Sequence, residues 1–363
     1  MPGTFPSMEP HPLFPDVRRI AVLRGGGLGD VLFAVPALHA LHAAYPAAQL
    51  AVLSSRQGAL LPGRLPFPVE VCELPRVAGV HDAGTNDDVA GFLAAQRGRQ
   101  YDLAVQLHGG GRNSNPFLLA LGARHTVGAR TPDAPALERG FGYEYFQHEF
   151  VRGLEAAALA GAAPVILEPA LRALPGDHEA AADALPAQPG ERLVVLHPGA
   201  TDPRRRWPAE GFGRVAARLA ADGARVAVVG DEGERGLARE VCALAASDRV
   251  IDLAGALGLP ALVGLLARAA LLVGNDSGPR HLAQALGAAT ASVFWVGNVI
   301  TAAPLTRGRH RLRIAARTAC PVCGADQFQV GWTAPHCGHD ASFVAEVRAE
   351  DVLEDARALL AAS

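Results

Sequence analysis

Short apolar runs recur along the chain, each closing in a loop rich in glycine, proline or polar residues and followed by a stretch with helical periodicity. The first run, Arg19–Arg24 (RIAVLR), is continuous rather than alternating, which predicts a strand buried on both faces. A glycine loop at 25–29 follows it, then a helix predicted over 31–45 and stopped by Pro46. Further strands are predicted at 49–54 and 101–107, the second leading through a polar loop (108–115) into a helical segment at 116–121. Between 174 and 192 the pattern fades into Pro, Gly, Asp and Ala, so a linker is expected at 175–191.

The same alternation then restarts. Strands are predicted at 193–197, 225–230, up to Leu253, 270–274 and 290–295, with helices at 209–221, 232–246, 259–267 and 279–286. An amphipathic helix at 348–361 closes the chain. This grammar predicts an α/β protein of two doubly wound domains, residues 18–174 and 192–345, with ligands at the carboxyl ends of the strands and between the domains. Residues 1–17, with five prolines in the first fifteen, read as a flexible tail with neither a secretory nor a transit pattern.

Composition narrows the chemistry. Half of the 363 residues are hydrophobic and 19% are charged, which excludes wholesale disorder. A net charge of −3 argues against a nucleic-acid binder. All 33 basic residues are arginine; the absence of lysine excludes Schiff-base chemistry, a lysine-ended P-loop and a kinase fold, although a GC-rich coding bias suffices to explain it. The longest apolar stretch, 259–274, is interrupted by Arg268 and too short to span a bilayer. Five cysteines, few and odd in number, fit a reduced cytoplasmic protein.

Four loops carry candidate chemistry. The run Arg24-Gly25-Gly26-Gly27-Leu28-Gly29-Asp30 fails as a dinucleotide fingerprint, because Asp30 stands where the last glycine belongs and no acid follows the second strand. Arg56 at that strand's end keeps an NADP reading open. The loop allows close backbone approach and sets a carboxylate at the mouth of a helix, where Asp30 could also act simply as a cap. In the loop from His197 to Pro208, Thr201 precedes Arg204, Arg205 and Arg206, a set that could clamp a diphosphate or form a solvated basic turn. Asn275-Asp276-Ser277-Gly278-Pro279-Arg280-His281 puts Ser277 at a helix N-cap, with backbone N–H groups able to hold an anion. Asp276 there is expected to hold the loop or face sugar hydroxyls, and His281 to reach phosphate or sugar. Gly230-Asp231-Glu232 sets acids where a ribose would bind or where a helix simply begins. Cys320, Cys323 and Cys337, flanked by His336 and His339, could hold a structural zinc, though their spacing matches no standard knuckle; no catalytic metal is expected. The arginines between 307 and 317 read as a solvated strand or loop, or as a face for anionic lipid.

Together these motifs resemble the family 9 glycosyltransferases, the ADP-heptose:lipopolysaccharide heptosyltransferases, over about residues 18–360. The resemblance rests on Gly27-Leu-Gly-Asp30-Val-Leu-Phe-Ala-Val-Pro36, the His197-Pro-Gly-Ala loop running into Arg205-Arg206-Trp207-Pro208, Gly230-Asp-Glu232, and Asn275 to His281. It implies a GT-B fold of two Rossmann-like domains facing a cleft, with the C-terminal helix (346–363) returning to the first domain. Inverting, metal-independent transfer of heptose from ADP-heptose to a lipopolysaccharide-core-like glycolipid is implied too, with no cofactor. By position, Asp30 matches the general base, Arg205 the phosphate-binding lysine of relatives, Glu232 the ribose-binding acid, and Ser277, Gly278 and His281 the diphosphate loop. Thr201, Arg206 and Asp276 are expected beside the donor, and Arg24, Gly29, Arg112 and Asn113 beside the acceptor. A monomer working in the cytoplasm or on the inner membrane's cytoplasmic face follows, with a nucleotide sugar and a glycolipid as partners and no nucleic acid. The rival readings are an NADP-dependent or epimerase-type enzyme on the same double scaffold, and a non-catalytic sugar-nucleotide-binding protein.

Overall fold

A computed structural model describes residues 11–76, 80, 88–328 and 337–362. The chain divides into two compact units, one ending at Pro169 and the other beginning at Ala170.

The first unit comprises β1 (Arg19–Arg24), α1 (Leu28–Ala44), β2 (Gln49–Ser54), β3 (Glu70–Glu73), α2 (Val89–Arg97), β4 (Leu103–Gln106), α3 (Ser114–Leu119), β5 (His125–Arg130), β6 (Arg139–Gly142) and α4 (Glu149–Leu159). Its sheet is wholly parallel in the order β3-β2-β1-β4-β5-β6. Ile20 to Leu23 are inaccessible to solvent, as the continuous apolar run of β1 requires of a strand covered on both faces. Strand order reverses between β1 and β4, so the loops leaving these two strands open a crevice at their carboxyl ends. Helix α1 begins three residues before its expected start and runs through Pro36. Val31 to Leu38 are all buried, and that packing carries the helix past the hydrogen bond Pro36 cannot make.

The second unit comprises α5 (Pro175–Ala184), β7 (Leu193–His197), α6 (Ala209–Ala221), β8 (Arg225–Val228), α7 (Arg235–Ala245), β9 (Val250–Asp252), α8 (Leu259–Ala267), β10 (Leu271–Asn275), α9 (Gly278–Ala285), β11 (Ala289–Trp295), α10 (Val296–Ala302), β12 (His310–Ala315) and α11 (Ala349–Ala361). The parallel order β12-β11-β10-β7-β8-β9 repeats the topology of the first sheet, with the reversal between β7 and β10. Among the described residues, no helix is long and apolar enough to cross a membrane.

Two expectations need correction. Residues 175–191 do not form a bare linker: α5 starts on Pro175, a favoured first helical residue, and Asp177 accepts from the Leu174 N–H at 2.8 Å. It packs against α8 so closely that a side chain at Gly264 would meet the backbone of Asp177. Alanine-rich helices bury surface without a strong apolar signal, which hid this one. The described part of the expected tail, 11–17, is also anchored. Phe14 stacks on His125 at 4.1 Å and lies under the Arg139 guanidinium at 3.7 Å, and its N–H donates to the Tyr45 hydroxyl. Within the second unit, α11 packs on α6 and against β10, β11 and β12. Val352, Ala356 and Leu359 join the core of the second unit, and ion pairs from Arg313 to Asp355 (2.6 Å) and Arg357 to Asp222 (2.7 Å) fix the helix from either side.

Candidate active site

Strand β1 delivers Arg24 to the crevice of the first unit, and the loop 25–27 turns the chain into α1. Gly26 takes φ +95°, a left-handed conformation that glycine adopts without strain, and Gly25 has the Val80 carbonyl where a Cβ would lie. Asp30, in the first turn of α1, has one carboxylate oxygen on the Gly27 N–H (2.8 Å) and the other on the Arg24 guanidinium (2.7 Å), yet its side chain stays 43% exposed. The capping role allowed by the sequence is therefore real, and it leaves the carboxylate open to solvent.

Arg24 is buried, a position that disfavours its charge; Asp30 and Glu149 outweigh that penalty and raise its pKa. Its donors go to the Asp30 carboxylate and main-chain carbonyl, to the Leu107 carbonyl, and to Glu149 at 3.0 Å. Glu149 in turn pairs with Arg152, so a buried chain of alternating charges backs Asp30. Arg24, expected beside the acceptor, is the group that orients Asp30. His108 was not singled out from the sequence; it lies against Gly25, and burial, then Arg24, pushes its imidazole down to about 4, so it is neutral at pH 7. The loop it opens is shaped by Gln106, whose amide donates to the His108 carbonyl and to the Ser114 hydroxyl (2.7 Å). Arg112 and Asn113 stand exposed on that loop, Arg112 facing Asp133 at 3.5 Å, and Gly29 is half-buried in the first turn of α1.

In the second unit, Asn275 at the end of β10 is wholly buried and staples the loop after β7 at both ends. It donates to the Pro198 (2.7 Å) and Gly199 carbonyls and accepts from the Trp207 N–H at 3.1 Å. Asp276 meets Arg205 at 3.1 Å through one oxygen and His281 at 2.9 Å through the other. Burial alone would raise this carboxyl, but the hydrogen bond from His281 and the charge of Arg205 hold it at about 2. His281 is buried, which pushes its pKa down; its Nε2–H donates to Asp276 while Nδ1 accepts from Arg280 at 2.9 Å. Asp276 thus joins Arg205 to His281, whose ring lies buried between Asp276 and Arg280.

Ser277 occupies the N-cap of α9, but its hydroxyl makes no cap bond and lies 2.9 Å from His197 Nδ1. His197 Nε2 faces Glu234 at 3.2 Å, completing a Ser277–His197–Glu234 chain across the loop ends. Burial would raise Glu234, and the His197 hydrogen bond keeps it below the usual carboxylate range. Gly278 opens α9 itself. Of the three successive arginines, Arg204 is held by both oxygens of Asp202, Arg205 by Asp276, and Arg206 uses its Nε on the Ala200 carbonyl while remaining exposed beside Thr201. Glu232 lies outside this network: it is exposed and pairs with Arg235 at 2.9 Å, while Glu234, two residues on, takes the interior place.

Away from the crevices, Cys320, Cys323, Cys337 and His339 bring one ligand atom each to within 4.8 Å of one another. His336 lies outside the described residues.

The sequence model of glycosyltransferase family 9 (heptosyltransferase) matches residues 92–322. Lipopolysaccharide heptosyltransferase 2 of Salmonella typhimurium is 24% identical over 358 residues, covering 94% of this chain and 98% of that one. Among solved structures, a family 9 glycosyl transferase from Veillonella parvula superposes with a TM-score of 0.77 at 18% identity, covering 95% of this chain and 98% of that one. The E. coli ADP-heptose lps heptosyltransferase II gives 0.72 at 21% identity, with 95% and 99% covered. These structural likenesses show the fold, two Rossmann-like α/β domains of the GT-B type. With its family match spanning well over half its length, the chain belongs to glycosyltransferase family 9, the heptosyltransferases, and is a glycosyltransferase.

Proposed function

We propose that this glycosyltransferase moves heptose from ADP-heptose to a hydroxyl of a lipopolysaccharide-core-like glycolipid, with inversion at the anomeric carbon and no catalytic metal. The names of its relatives support the donor and the acceptor class. The observation that carries the reading is Asp30: a half-exposed carboxylate at the carboxyl end of β1, oriented by a buried arginine and by the Gly27 N–H. Inverting transfer is a single displacement, so it needs a base for the acceptor hydroxyl and no protein nucleophile. Asp30 takes that proton as the oxygen bonds to the anomeric carbon and the bond to the diphosphate breaks on the opposite side.

The departing ADP gains negative charge, which the second unit is equipped to meet. Arg205 and Arg206 supply cations, and the first turn of α9 at Gly278 supplies N–H groups that the Ser277 side chain does not cap. These groups can do the work a metal does in other transferases. Thr201 lies on the same loop, and Glu232, exposed at the end of the strand–loop after β8, suits a ribose diol. Asp276 and His281 act through Arg205. Gly29, Arg112 and Asn113 are the groups offered to the acceptor, and a lipid-borne acceptor would bring the protein to the cytoplasmic face of the inner membrane.

The test is to incubate the chain with ADP-heptose and heptose-deficient lipopolysaccharide core. The expected outcome is an acceptor heavier by one heptose and one ADP released per transfer, with the anomeric configuration inverted. ADP-heptose binding without transfer would favour a binding protein, and donor conversion without acceptor would favour an epimerase; either overturns the proposal.

A further inference from the structure

The residues that directly follow β12 bring little apolar surface to the second unit. Of residues 316–326, only Cys320 is buried. Their local shape is nevertheless defined. An antiparallel bridge joins Ala319 to Asp326, the Cys320 N–H donates to the Ala325 carbonyl at 2.8 Å, and the Gly324 N–H donates to the Cys320 carbonyl at 2.9 Å. Gly324 takes φ +73°, a turn conformation that suits glycine, just after Cys323. The Val322 N–H points at Cys320 Sγ from 3.5 Å, the kind of donor that steadies a thiolate. A tight turn presenting two sulfurs this way at the margin of the second unit's core, which Cys320 joins and Cys337 packs against, is the architecture of a small metal-stapled knuckle.

Cys337 and His339 complete the set from the residues ahead of α11. One ligand atom from each of the four residues lies within 4.8 Å of the others, and Cys320 Sγ is 3.8 Å from His339 Nδ1. Tetrahedral zinc, with bonds of about 2.3 Å to sulfur and about 2.0 Å to nitrogen, sets its ligand atoms about 3.5–3.8 Å apart. Three thiolates and one imidazole match zinc in both softness and geometry, and leave no open position for chemistry.

We propose that Cys320, Cys323, Cys337 and His339 form a structural zinc site that ties the turn after β12 to the residues leading into α11. The site's role follows from what comes next in the chain. The Phe343 N–H donates to the Arg204 carbonyl at 2.9 Å, and the Val347 carbonyl accepts from the Trp207 indole at 2.9 Å. Phe343 also packs edge-on against Trp295, 5.4 Å between ring centres. The residues just beyond His339 therefore buttress the arginine-bearing loop after β7 from beneath, and the metal fixes where they start.

The full chain, purified without a metal-chelating tag, should contain one zinc per molecule by plasma emission spectrometry. Cobalt substitution should give the intense thiolate charge-transfer bands of a tetrahedral site. Cys320→Ser and Cys323→Ser should lose the metal and melt at a lower temperature than the parent, with no further drop on adding chelator. Cys72→Ser and Cys242→Ser, on other elements, should keep it. Because zinc content is read on the parent chain, variants that fail to fold leave the test intact. Metal-free parent protein, a disulfide among these cysteines in that protein, or one equivalent of iron in place of zinc would each overturn the assignment.

Discussion

The two units share one topology, with matching strand order, yet they arm the loops leaving the strands at the reversal in opposite ways. In the first unit the charged chain Asp30–Arg24–Glu149–Arg152 runs inward from a carboxylate that stays open to solvent. In the second, Asp276 and Glu234 are each tied to a histidine; Asp276 also holds Arg205. The second unit's loop is longer and is closed by one uncharged residue, Asn275. A carboxylate kept exposed can exchange a proton with a substrate. Carboxylates kept buried and paired hold geometry, so the chemical step is expected in the first unit and anion binding in the second.

The largest effect should come from Asp30→Asn, which keeps the shape and the Gly27 contact but removes the base. Turnover should fall about 10²- to 10⁴-fold while ADP affinity, measured by calorimetry, stays within about twofold. Full activity in this variant would erase the proposed division of labour. Next comes Asn275→Ala, which strands the Trp207 N–H and the Pro198 carbonyl in a buried place and should cost about 3 kcal/mol. All three tryptophans lie after residue 170, so fluorescence-monitored denaturation reads the second unit alone, where the loss should appear.

Acidification offers a third handle. Asp276 is held at about 2 against an ordinary 3.8, so its pairing stabilises fully above pH 4 and is lost as pH falls towards 2. The tryptophan-detected stability should drop by on the order of 2 kcal/mol across that window from this group. An Asp276→Asn chain should lack that drop. In the first unit, His108 is kept neutral down to about 4, so its contribution is present above 6.5 and fades as pH falls from there to 4. Smallest is Arg205→Ala, expected to weaken ADP binding about tenfold, or 1.4 kcal/mol. Arg205→Lys should recover only part of this, because one guanidinium nitrogen is already committed to Asp276 and a lone ammonium cannot serve both partners.

Most of the central strands were legible because they are buried on both faces and therefore read as unbroken apolar runs: β1, β2, β7, β10 and β11 are nearly where the pattern puts them. The peripheral β3 and β6 were not, being four residues long and only partly covered. Helix α4 escaped because its buried face includes Arg152, whose charge is satisfied by Glu149, so a core position looks like a surface one. For the site, the motifs located the loops but not the direction of each side chain. That Glu234 and not Glu232 meets His197, that Asn275 closes the loop and that His281 turns inward all depend on partners elsewhere in the fold. The four zinc-ligand candidates were visible as residue types, and only the turn at Gly324 shows how they converge.

Phe14 has a practical bearing on handling the protein. It sits against the first residues of β5 and β6, and Arg139, which covers it, also donates to the Pro12 carbonyl. Since β6 borders the sheet, these residues help shield a lateral margin that would otherwise be available to a neighbouring chain. A version trimmed to begin at residue 18 would look harmless on its proline content alone. It would lose an aromatic plug and expose that margin, and the result to expect is self-association during concentration.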